Sequence, residues 1–160
     1  MGSALLDPMG RCMHCFCSID EPQGLCSTCR TRPRLPFPSA AVFDREAPIH
    51  ELLFQEELRE AIGAFAFYQS LRLGWTLPDL IIPVLKDSSE ITSTFAALHE
   101  CPCPELFSRR DSWEIREDLV EEEQILWLFD EGASEEELKK AGLAIGNAFP
   151  KKIYHLCLFA

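Results

Sequence analysis

No apolar run in this chain of 160 residues approaches the roughly 18 residues needed to cross a bilayer. The longest near-candidate, Leu77 to Leu85, is interrupted by Pro78, Asp79 and Pro83. The start of the sequence has no basic region and no adequate apolar stretch, because Asp7 and Pro8 cut short the patch Ala4, Leu5, Leu6. A secretory leader is not expected, so the expected compartment is the cytoplasm, with its thiols reduced. Positive charge is also scarce. The net charge is −11, which leaves no broad cationic face for phosphates and disfavours single-stranded DNA as a partner. From Glu117 to Glu137 there are ten acidic residues and no basic one, the pattern of a solvated face. Near the head four arginines, Arg11, Arg30, Arg32 and Arg34, stand against Asp7, Asp20 and Glu21, so a small basic patch is expected there.

Hydrophobic residues make up 47% of the chain, enough for a real core. The sequence divides into a head and connector, 1–38, and a body, 39–160. The head is rich in Cys, Gly, Pro and Arg and has no sustained apolar period, so it needs a staple to fold. Pro33, Pro36 and Pro38 stiffen the connector. In the body, Ile49, Leu52, Leu53, Leu58, Ile62, Phe65, Ala66 and Leu71 form a helical stripe over 47–73, with a break near Gln55 to Glu57 and a stop at Gly74. Leu80, Ile81, Ile82, Val84 and Leu85 read as a buried parallel strand. Ser88 and Ser89 can cap a helix running to about His99. Cys101-Pro-Cys103-Pro104 reads as a loop or short edge strand, and its cysteines as small apolar residues. Residues 105–124 carry no clear period.

The last 36 residues are the most strongly patterned. Ile125 to Phe129 is a second buried strand, followed by a turn at Asp130 to Ala133. Ser134 with Glu137 forms a capping box, Leu138, Ala141 and Ile145 line one helical face, and Gly146, Asn147 and Pro150 end the helix. Ile153 to Phe159 is a third strand. A strand–helix–strand unit of this length predicts parallel strands.

Cys12-x2-Cys15 and Cys26-x2-Cys29, ten residues apart, are two knuckles. Each pair can turn two thiolates onto one ion, and together they complete a tetrahedral, closed, structural zinc site. Two disulfides are disfavoured in a reduced compartment, and an iron–sulfur cluster is the other metal the spacing allows. His14 and Cys17 are spare donors nearby.

This order of parts resembles the ComF (competence protein F) family. The shared parts are a double-CxxC head, a proline-rich connector, a helical stretch, Pro78-Asp-Leu-Ile-Ile-Pro-Val84, and the strand–acidic turn–helix–strand of Ile125 to Ala160. The resemblance implies an α/β fold, a parallel-sheet phosphoribosyltransferase-like domain carrying a small zinc knuckle. It implies a role linked to DNA uptake and natural competence, with protein partners in uptake or repair. It also implies that Asp130 and Glu131 stand where the family holds ribose hydroxyls. Gly132, Ala133 and Ser134 stand at the end of its phosphate loop, and Lys86 is the remaining cation of its substrate loop. Magnesium at the acidic pair belongs to the same picture.

The chain departs from the pattern there. The arginine-rich segment of the family is missing and the phosphate loop is about three residues short. Glu135, Glu136 and Glu137 fill the first helical turn. At ~4 Å and an effective dielectric near 20, each close anion pair costs on the order of 4 kcal/mol, so a dianionic phosphate is disfavoured. The favoured expectation is a non-catalytic protein with a degenerate phosphate loop. An active phosphoribosyltransferase or phosphoribosyl hydrolase is one alternative. A zinc-stapled interaction module, with Trp75, Phe107 and Trp113 as anchors, is the other.

Overall fold

A computed structural model describes residues 19, 37–43, 51, 55–84, 89–105, 107, 113, 114, 116 and 119–159. Within them the chain is an α/β body with four parallel strands. In chain order the elements are β1 (Ser39–Phe43), a 3-10 turn (Glu56–Leu58), α1 (Arg59–Leu71), β2 (Leu80–Pro83), α2 (Glu90–Leu98), β3 (Ile125–Asp130), α3 (Glu135–Gly146) and β4 (Lys152–Phe159). The sheet order is β1-β4-β3-β2, and every pairing is parallel.

The strands are apolar on both faces, as a sheet covered on both sides requires. Ile81, Trp127, Phe129, Tyr154, Leu156 and Leu158 point to one face, where Ile62 and Ala66 of α1 and Ile91, Phe95 and Ala96 of α2 meet them. Leu80, Ile82, Leu126 and Leu128 point to the other face, under Leu138, Ala141 and Ile145 of α3. Trp75 stacks on Tyr154 at 4.7 Å between ring centroids, and Trp113 meets the buried Phe107 edge-on. Phe107 is buried and the two half-buried indoles pack against the core, as the reading of these rings as core residues expects and the alternative of surface anchors does not.

The helices lie on opposite faces because the chain reverses direction at β2. After α2, Pro102 takes the outer edge of that strand, its carbonyl accepting a hydrogen bond from the Ile81 amide. Phe107 and Val120 then lead back under the α3 face before β3 begins on the other side of β2. In open parallel sheets such a reversal opens a crevice outside the carboxyl ends of the two strands that flank it, and ligands bind there. Here the flanking ends are Pro83 and Asp130.

The expected elements from β2 onward are present, with ends shifted by a residue or two. The break expected near Gln55 to Glu57 coincides with the 3-10 turn, and α1 starts only at Arg59. Gly74 takes φ +63°, the left-handed backbone a stop after α1 requires. At the end of α3 the left-handed residue is Phe149, not Gly146 or Asn147. No helix among the described residues is long and apolar enough to cross a membrane.

Candidate functional site at the carboxyl ends of the strands

Asp130 and Glu131 lie at the crevice, as the last residue of β3 and the one after it. Their side chains diverge. Asp130 is 3% exposed and turns down onto the α3 side of the sheet. Its Oδ1 accepts hydrogen bonds from the amides of Gly132 (2.7 Å) and Ala133 (2.5 Å). Its Oδ2 is 3.5 Å from Nε2 of His155, a residue of β4 that is equally buried. Nδ1 of His155 is 2.5 Å from the Ser39 hydroxyl on β1. Gly132, at φ +142°, supplies the backbone turn that brings two successive amides back onto the carboxylate.

Glu131 turns the other way. Its Oε1 accepts from the hydroxyls of Ser89 and Thr92, the latter at 3.2 Å, at the start of α2. The same Ser89 hydroxyl accepts from the amides of Ile91 and Thr92 and so caps the helix. Burial pushes the Glu131 carboxyl above the usual carboxylate range. The hydroxyls of Ser89 and Thr92 and the charge of Arg59 oppose the shift, while the neighbouring Asp130 adds to it. Cys103 faces this carboxyl. Burial first, and the Glu131 charge second, raise its thiol to about 11. Burial likewise raises Cys101 to about 11. Both stay protonated near neutrality and pack against the core as small apolar side chains.

At the start of α3 the capping box forms as expected. The Ser134 amide and hydroxyl both donate to Glu137 Oε2 at 2.7 Å, and the Glu137 amide returns a bond to the Ser134 hydroxyl. Glu135 and Glu136 pair with Lys139 and Lys140 one turn on, each at 2.7 Å. Of the three glutamates expected to repel a phosphate, two are thus compensated along the exposed helix. The third acts by occupation, because it holds the donors a phosphate would need.

The start of α3 is where a helix holds an anion, through free amides aligned with its dipole. In this chain the amides of Gly132 and Ala133 serve Asp130, and the amide and hydroxyl of Ser134 serve Glu137. The acidic pair is likewise engaged within the fold, Asp130 toward β4 and Glu131 toward α2. Among the described residues no group of three or more His, Cys, Asp or Glu is arranged to hold a metal ion. Lys86 and the four head cysteines Cys12, Cys15, Cys26 and Cys29 lie outside the described residues.

Sequence reasoning found Asp130 to Ser134 and Ser89 but not Ser39, Thr92 or His155. His155 had a readable signal, being the one polar side chain at an inward position of an otherwise apolar strand; such a residue needs a partner. Family models, curated proteins and solved structures were all compared with this chain, and none matches it.

Proposed function

We propose that this chain is a non-catalytic protein of the ComF type, working through protein contacts in DNA uptake or repair. Its head is held by one structural zinc on Cys12, Cys15, Cys26 and Cys29. The resemblance of the sequence carries the family and its process. The parallel α/β body, with its acidic turn at the crevice where β2 reverses, agrees with a phosphoribosyltransferase-like ancestry. The loss of catalysis rests on a single observation: the amides of Gly132, Ala133 and Ser134, which lead into α3, are engaged by the chain's own carboxylates, Asp130 and Glu137. A phosphate using these three amides would have to displace both carboxylates. The four thiols fit a closed zinc site, where the ion would hold the head together and offer no open position to a substrate.

The test is calorimetric titration of the zinc-loaded protein with phosphoribosyl pyrophosphate and magnesium, with Asp130→Ala in parallel. The metal content of the same sample should be one zinc per chain. No heat of binding is expected from either protein. Binding tighter than about 100 μM that is lost in Asp130→Ala would overturn the reading and make the chain an enzyme candidate.

A further inference from the structure

At the opposite end of the sheet from the acidic turn, a groove of about 660 Å³ opens between the end of α3 and the start of β4. Its floor is Phe37, whose ring lies against Gly142 so closely that a Cβ there would fall 2.6 Å from Cε1. Leu143 and Phe149 form its walls and are the most exposed large apolar side chains among the described residues, at 70% and 74%. Phe149 holds its ring outward from a left-handed backbone, φ +53°, a conformation that bulky residues rarely adopt. Exposed apolar side chains gathered on one groove mark a contact surface rather than ordinary scatter.

Charge selects the occupant. The groove is lined by Lys151 and Lys152 and by no acidic residue. The Lys152 ammonium leans over the Tyr154 ring at 4.8 Å, so among the described residues Lys151 is the cation left at the rim. Directly beside it lies the acidic turn Glu121 to Glu123, all three exposed. The turn is tied to the start of β4 because the amide of Lys151 donates to the carbonyl of Gln124 at 2.9 Å. One patch thus carries an apolar centre, a cation and an anionic turn side by side. That is the pattern a two-fold contact needs, since each copy offers its cation to the other's acidic turn while the apolar centres meet on the axis. The chain's own leading segment is a poorer occupant, because its four arginines outnumber Asp7, Asp20 and Glu21 and would meet Lys151 with like charge. We infer that this face is the self-association surface of a two-fold dimer, closed by Phe149 and Leu143 and keyed by Lys151 against Glu121 to Glu123. This inference is independent of the crevice and of the proposed loss of catalysis.

Sedimentation velocity on the full chain, from low micromolar to a few hundred micromolar, reads the association directly. A concentration-dependent dimer is expected. Phe149→Asn suits the left-handed backbone and should leave the thermal midpoint of the monomer unchanged or higher, while weakening the dimer at least about tenfold. Leu143→Ser, at an exposed helix position, should weaken it similarly. Lys151→Glu alone and Glu121→Lys/Glu122→Lys alone should each favour monomer, and mixing these two proteins should restore a heterodimer. A chain that stays monomeric throughout would overturn the inference. So would a dimer untouched by Phe149→Asn and Leu143→Ser, or a monomer that binds an acidic peptide at this groove.

Discussion

Asp130 shows what a residue type discloses and what it conceals. An acidic pair after an apolar strand is legible as a candidate ligand clamp. Where each carboxylate ends up is less legible: Asp130 folds back onto the adjacent amides of Gly132 and Ala133, beside the buried His155 of β4, and Glu131 reaches Ser89 and Thr92, distant in sequence on α2. The structural role carries its own expectation. Asp130→Ala removes the acceptor of two amides and leaves the buried His155 Nε2, already without a hydrogen bond, facing an empty space. Hydrogen bonds to a charged acceptor contribute about 1.5–3 kcal/mol, and water can reach the freed amides in part, so urea denaturation should show a loss of about 1–3 kcal/mol at unchanged m-value. A fully stable Asp130→Ala protein would show that the carboxylate is kept for something other than the fold.

Elements were legible wherever local chemistry fixes them. Ser89 caps α2 and Ser134 with Glu137 caps α3, because a cap involves only the next three residues. β1 was not read, although Ala40, Ala41, Val42 and Phe43 are all buried. Four apolar residues after a proline connector carry no period, and only pairing with β4 makes them a strand. The contact of α1 with α2 was equally hidden in the sequence. It turns on Gly63, where a Cβ would stand 2.6 Å from the Ile91 carbonyl oxygen and 2.9 Å from Thr94 Cβ. A backbone oxygen cannot step aside as a side chain can. Gly63→Ala should therefore destabilise the protein by about 1–3 kcal/mol, despite the better helix propensity of alanine. Gly142→Ala meets a movable ring, Phe37, and should cost less in the same thermal-melt comparison.

At the scale of the whole molecule, the parallel unit at the end of the chain could be read, but the reversal at β2 could not. It depends on Pro102 taking the outer edge of a strand that the sequence places some twenty residues earlier. The same region sets how the fold responds to acid. His99, just after α2, is enclosed by the rings of Phe67, Phe95 and Trp127, and its Nε2 lies 3.0 Å from the Ser70 hydroxyl. Burial lowers its pKa from 6.5 to about 4, so the folded protein holds the ring neutral where an unfolded chain would protonate it. Between those two values the unfolded state binds the extra proton, and stability must fall as the pH drops from about 6.5 to about 4. Because the ring is only part-buried, the loss should amount to about 1–2 kcal/mol rather than the full shift. Glu131 acts in the opposite sense. Its raised pKa means that the fold takes up a proton more readily than the unfolded chain, which partly offsets the loss at the acidic end. Unfolding measured at successive pH values on His99→Gln should therefore lose the decline between about 6.5 and 4 and keep the opposing Glu131 gain, which falls within the same range, above the 4.5 of an ordinary carboxyl. A decline unchanged in that variant would place the acid sensitivity outside the aromatic cluster around His99.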